Sequence, residues 1–279
     1  MNASKTLPER LVIEAGRTER HYWADLWKYR ELFFFLSWRD ILVRYKQTVM
    51  GILWAVLRPF LTMIVFSFIF GRLAKLPSDG IPYPVLVFAA MLPWQFFASS
   101  LTEASNSLIS NANMLSKIYF PRLVLPTSAV IVSLVDFLIS FVILAVMMVW
   151  YGIWPTWHLL ALVPLTALAF LASMAAGLWI AALNVEYRDF RYIVPFLVQF
   201  GLYVSPVGFS SSIVPENLRF WYSLNPMVGV IDGFRWAIAG AQTQIYWPGF
   251  GLSVFVVFAL LASGVWYFRR MERTFADVI

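Results

Sequence analysis

Three ionisable residues stand inside long apolar runs: Arg58, Glu103 and Asp136. An ion at the centre of a membrane helix costs about 2.5–3.5 kcal/mol on insertion scales, so each needs a partner or a wet cavity. Two kinds of chemistry are open to them. Arg58 and Asp136 fit a structural ion pair that fixes helix register. Alternatively, Arg58 faces a passage and offers a planar fork to phosphate oxygens. Glu103 is also within reach of a snorkelling Arg58. Among candidate loops, the polar constellation is Glu186, Arg188, Asp189 and Arg191 in NVEYRDFR. It reads as a turn of alternating charge, whose ion pairs are each worth little. Other chemistries are excluded by residue type. There are no cysteines, hence no thiolate nucleophile or metal ligand. His21 and His158 are far apart in sequence. No Gly is followed by Lys, so no Walker A phosphate loop exists, and neither HExxH nor GxSxG occurs.

The elements that must position these charges follow from composition. The chain is 61% hydrophobic and 13% charged, against about 25% charged in soluble domains. Runs of about 20 apolar residues recur, the length a hydrocarbon core about 30 Å thick demands of a helix. The expectation is an all-α polytopic membrane protein with six spans, near 49–70, 85–107, 126–150, 158–182, 192–212 and 248–268. Residues 1–48 form a cytoplasmic arm, 49–268 the membrane domain and 269–279 a cytoplasmic tail. With both termini inside, sixteen of the 21 Lys and Arg residues fall on the cytoplasmic side and four outside, as the positive-inside rule requires. The basic balance therefore reflects topology and not a nucleic-acid partner. The first 20 residues hold no apolar core region, so no cleavable signal peptide is expected. Arg58 and Asp136 each lie about 13–15 Å from the cytoplasmic edge at 1.5 Å per residue, and so meet near the midplane.

Three shorter stretches carry further signals. HYWADLWKYRELFFFL, 21–36, is amphipathic and too polar to span, so it belongs in the interface plane. It is either a surface anchor or a docking element for a cytoplasmic partner, with Trp27 and Arg30 as the docking candidates. NANMLSKIYFPR, 111–122, places Met114, Leu115, Ile118 and Tyr119 on one stripe between Lys117 and Arg122. Asn113 or Asn111 caps the short helix, and Phe120-Pro121 ends it. A connecting turn does not require four large apolar side chains. A helix-in-groove contact does. After the fifth span, interrupted at Ser205-Pro206, two short helices are expected at 215–224 and 226–239. Pro215 marks the first turn of one, and Asn225-Pro226 is the cap and first residue of the other. Both are too short to cross, so they are re-entrant or surface-lying on the outer side. Asp232 and Arg235 pair at i, i+3.

RDILVRYKQTVMGILWAVLRPFL (39–61), SNSLISNANMLSKIYFPRLVLP (105–126), NVEYRDFRYIV (184–194), YVSPVGF (203–209) and LNPMVGVIDGFRWAI (224–238) together resemble the ABC-2 type permease family. More closely they resemble the membrane subunit of bacterial exporters of O-antigen, capsule or teichoic-acid polysaccharides. The resemblance covers 39–268 in consistent order. It implies a non-catalytic permease, homodimeric in the inner membrane, working with two cytoplasmic ATP-binding subunits on a separate chain. ATP and Mg would be bound there and no cofactor in this chain. It implies that 111–122, with Asn113 to Arg122 as above, is the helix that couples to the ATPase. It implies outer gate helices at 215–239 and a lipid-linked polysaccharide as substrate. Trp and Tyr rings suit a sugar passage, which makes Trp54, Tyr203, Trp221, Tyr222 and Trp236 candidates beside Arg58, Pro206 and Asn225. For Trp94, Tyr246 and Trp247 an interfacial aromatic belt fits better. The alternatives are a secondary transporter or an integral membrane glycan-modifying enzyme.

Overall fold

The computed structural model describes residues 18–46, 49–187, 189–240, 243–272 and 275, the side chains of 18–21 and 49–56 excepted. The described residues form eleven α-helices and no strand: α1 Thr18–Lys28, α2 Arg30–Lys46, α3 Val49–Phe66, α4 Tyr83–Ser110, α5 Ala112–Leu115, α6 Val124–Trp150, α7 Leu162–Glu186, α8 Phe190–Val204, α9 Glu216–Tyr222, α10 Pro226–Ala239 and α11 Trp247–Met271. A π-helical turn, Ser67–Leu73, extends α3, and a 3₁₀ turn, Trp157–Ala161, leads into α7. Among the described residues, four helices are long and apolar enough to cross a membrane: α4, α6, α7 with its 3₁₀ lead, and α11.

The centre of the bundle is α4, in which every residue from Val85 to Trp94 is buried. A helix apolar on all sides needs neighbours on all sides, and α4 packs against α3, α6, α7, α8 and α10. The helices around it turn apolar faces outward, with Phe60 and Ile64 on α3 and Phe68 on its π-helical extension, Phe196 and Phe200 on α8, and Phe255 and Phe258 on α11. Trp94, expected in an interfacial belt, is instead 4% exposed. Its ring lies where Gly201 of α8 has no side chain, and a Cβ there would come within 2.6 Å of it.

Two expected elements differ in extent. The interface helix does not stop at 36; one turn residue, Tyr29, separates α1 from α2, which runs on to Lys46. Arg44 and Lys46 occupy its last turn, where cations oppose the negative helix end. The fifth apolar run is helical for only 15 residues, about 22 Å. Ser205 is extended, with ψ 153°, because the following Pro206 excludes the α conformation there.

At the end of the bundle away from α1 and Met271, Asn225 caps α10 by accepting from Met227 N at 3.0 Å. Pro215 sits one place earlier than expected, as the N-cap of α9. The helix α10 is mostly buried and packs on α4, α7 and α11. Close approach depends on Gly233, where a Cβ would meet Leu165 at 2.5 Å.

Candidate functional site

A cavity of about 710 Å³ opens between α3, α4, α6 and α8, bounded by the end of α2. Its floor is built from two polar stripes. On α4, Gln95, Ser99, Thr102 and Glu103 recur at helical spacing and share a face; on α6, Ser133, Asp136 and Ser140 do the same. Arg58 enters from α3 and Val198 from α8. Apolar helices that present matched polar stripes to one space are what a hydrophilic ligand needs to enter hydrocarbon.

The charges are paired differently from expectation. Arg44 Nη1 donates to Asp136 Oδ2 at 2.7 Å and Arg44 Nη2 to Glu103 Oε1 at 2.6 Å. Tyr45 donates its hydroxyl proton to Asp136 Oδ1. Asp136 is thus the partner of Arg44 and Tyr45, not of Arg58. The reason is the extra length of α2, which carries Arg44 to the edge of the cavity. Among the described residues, the Arg58 guanidinium has no carboxylate within ion-pair distance and lines the cavity in an exposed position.

The hydroxyls divide into two groups. Thr102 donates to Ala98 O at 2.8 Å and Ser133 to Ala129 O at 3.2 Å, so both show only lone pairs to the cavity. Gln95, Ser99 and Ser140 are half-buried and make no side-chain hydrogen bond among the described residues. The spacing of the stripes was present in the sequence, but each residue was too weakly polar to stand out singly.

Beside α1 and the end of α11, the 111–122 segment is only partly exposed. The helix α5 is one turn long. Met114 and Leu115 pack inward against the core, while Ile118 and Tyr119 are 60% and 47% exposed. Asn113 and Lys117 are exposed and Phe120 is buried. Asn111 occupies the N-cap position, but its side chain does not cap; it donates to Ser107 O at 2.9 Å. Arg122 turns inward: its backbone N–H donates to Glu272 Oε1 at 2.9 Å, and its guanidinium donates to Glu272 O. That guanidinium lies 5.8 Å from the ring of Phe275, while Arg269 lies 4.6 Å from the ring of Tyr22. Burial raises the Glu272 carboxyl above the usual carboxylate range, despite the N–H of Arg122. Burial, then the nearby Glu272, raises the Tyr22 phenol as well. Trp27 and Arg30 are exposed and stack on each other, with the guanidinium 5.6 Å from the ring.

The distal candidates fall into three places. Tyr203 and Trp221 are exposed. Pro206 is buried, Tyr222 donates to Val204 O at 2.8 Å, and Asn225 Nδ2 donates to Ser205 Oγ at 2.9 Å. These contacts brace the break after α8. Trp236 lies elsewhere, 4.8 Å from His158 and 6.3 Å from Trp157, and does not line the cavity. Tyr246 stacks under Arg219 at 5.0 Å. The side chain of Trp54 lies outside the described residues. Asp232 and Arg235 interact as opposite charges, though not as a direct ion pair among the described residues; Arg235 donates to Leu86 O at 3.2 Å, Phe209 O at 2.8 Å and Val207 O at 3.2 Å.

A bundle of apolar helices around a polar-striped cavity is the frame of a membrane permease. Residues 31–239 match the ABC-2 type transporter family, and the chain belongs to that family. It is 31% identical to an O-antigen export system permease protein of Myxococcus xanthus over 91% of this chain and 98% of the relative. It is 27% identical to a Klebsiella pneumoniae protein of the same description over 86% of this chain and 92% of that one. A polysialic acid transport protein of Escherichia coli is 24% identical over 84% of this chain and 91% of its own length.

Proposed function

We infer that this chain is the membrane subunit of an ABC exporter that moves a lipid-linked polysaccharide of O-antigen type across the bacterial cytoplasmic membrane. The observation that carries this reading is similarity over nearly the full length to O-antigen export permeases, joined to a cavity with polar stripes inside an apolar bundle. In this reading α3 with its π-helical extension and α8 with residues 205–210 are the first and fifth of six spans. Both termini are cytoplasmic, residues 1–48 and 269–279 are cytoplasmic segments, and two copies pair. A bundle lacking any Walker A loop takes its energy from two copies of an ATP-hydrolysing subunit, which hold ATP and Mg. The exposed Ile118 and Tyr119, with Lys117 beside them, present the surface that partner grips. Tyr203 and Trp221 offer flat faces to sugar rings at the distal exit.

The test is genetic and biochemical. Deleting the gene should remove polysaccharide from the cell surface and leave its lipid-linked precursor inside. The purified chain should also retain an ATPase whose hydrolysis rises several-fold with lipid-linked glycan. Unchanged surface polysaccharide after deletion overturns the reading.

A further inference from the structure

We propose that Glu272 is a positioning residue for coupling: it ties the 118–122 stretch to α1 and α11, through a bond to Tyr22 that forms in only one of two states. The inference rests on the exporter reading, in which an ATPase grips this stretch, and concerns how that grip is passed on. Three observations lead to it. First, the stretch has an outward and an inward side. Ile118 and Tyr119 are exposed, while Phe120 and Leu123 are buried. A partner pressing on the outer pair therefore displaces a segment anchored in the protein. The chain itself carries that displacement to α4 and α6, which flank the stretch in sequence. It gives no such route to α1 or α11.

Second, Glu272 supplies the missing links. Its Oε1 accepts from Arg122 N at 2.9 Å, and its backbone carbonyl accepts from the Arg122 guanidinium. Arg269, nearly one turn earlier, lies 4.6 Å from the ring of Tyr22 and 5.9 Å from that of Trp23, both on α1. Phe275 packs edge-on to Phe268 at 5.5 Å. Third, one bond at this junction is missing. The Tyr22 hydroxyl is buried beside the Glu272 carboxylate, yet it is not in hydrogen-bond geometry with any partner among the described residues. A buried hydroxyl without a partner is destabilising, and a native chain that keeps one holds a reservoir of strain. A small shift of Glu272 closes the bond. An interaction made in one position of the stretch and not in the other biases the equilibrium between them; contacts equal in both do not.

The experiment complements a deletion strain with the full chain carrying each variant. Three quantities are measured: surface polysaccharide per inserted chain, ATP hydrolysis by the complex purified with its ATPase, and the unfolding midpoint. Glu272→Ala should lower export at least fivefold at matched abundance and leave hydrolysis within about twofold of wild type. Glu272→Gln should recover most of the export, because an amide still accepts from Arg122 N–H and meets the phenol oxygen as a donor. Tyr22→Phe deletes only the stranded hydroxyl, so the midpoint should hold or rise while export falls about two- to fivefold. A merely structural hydroxyl contact gives the opposite sign in the midpoint. If Glu272→Ala does not insert, Tyr22→Phe decides alone. A lowered midpoint in Tyr22→Phe, unchanged export in Tyr22→Phe or in an inserted Glu272→Ala, or export and hydrolysis falling together overturns the proposal. Surface polysaccharide that survives the deletion removes the exporter reading with it, whereas loss on deletion and normal export from both variants removes only this role of Glu272.

Discussion

Arg235 and Arg58 are both arginines set in apolar helices, and their surroundings are opposite. Arg235 is 4% exposed and gives its guanidinium to three backbone carbonyls. Two of these, Val207 and Phe209, belong to the irregular stretch after α8, where helical donors are missing. Backbone of that kind survives at membrane depth only when protein satisfies it, and Arg235 does so. Among the described residues Arg58 has no such partners, and it lines the cavity. One arginine completes the scaffold, and the other lines the cavity. Burial and hydrogen-bond inventory separate the two roles where residue type does not.

The contrast breaks most visibly on deletion. Arg235→Ala strands three carbonyls and should destabilise the chain by about 3 kcal/mol or more, seen as loss of membrane abundance and a lower unfolding midpoint. Arg58→Ala should leave abundance unchanged and reduce export at least tenfold. Equal loss of abundance in both would dissolve the distinction.

The Arg44 cluster lies between these extremes. Arg44→Glu and Asp136→Arg should each impair assembly and export, and the double variant should recover much of both. The coupling energy should be about 1–3 kcal/mol in a thermal unfolding cycle. Arg58→Asp with Asp136→Arg should show no such recovery.

A smaller contrast holds within the 111–122 segment. Ile118→Asp should abolish stimulation of the ATPase partner while insertion and abundance stay near wild type. Met114→Asp should reduce abundance, because that side chain packs on the core. Co-purification and quantitative immunoblotting separate the two outcomes.

The least effect is expected at Glu272. Its folded-state pKa is raised by burial, so the protonated form is favoured in the folded chain. The contribution is present at low pH and is lost as pH rises from the unfolded value through the raised one. Docking of the tail, followed by hydrogen exchange at Phe275, should therefore loosen modestly with rising pH, and Glu272→Gln should flatten that dependence.

Much of this organisation was legible in the sequence because it is local. Ser205-Pro206 ends a helix and Asn225-Pro226 starts one for reasons contained in two residues. The apolar runs that became α4, α6, α7 and α11 follow from length. What stayed hidden was direction and distance. Periodicity places Met114 and Leu115 on a common face with Ile118 and Tyr119, but not which part of that face turns inward. Nothing local reveals that Arg44, 92 residues from Asp136, is its partner. That required α2 to extend ten residues past its amphipathic signal. The i, i+4, i+7 polar residues of α4, Gln95, Ser99 and Thr102, carried a readable pattern, but each one alone resembles an ordinary polar helix residue.

The bond between Arg122 and Glu272 spans 150 residues, and it fixes an order of events. During synthesis the turn around Arg122 leaves the ribosome long before Glu272 does. It is tied down only when the last helix has been made and threaded. An incomplete chain thus displays this turn in a loose form, and a finished one displays it locked. A protein fused directly after Phe275 would pull at the knot formed by Arg122, Glu272 and Phe275, so a tag there needs a spacer that leaves Phe275 free to tuck in.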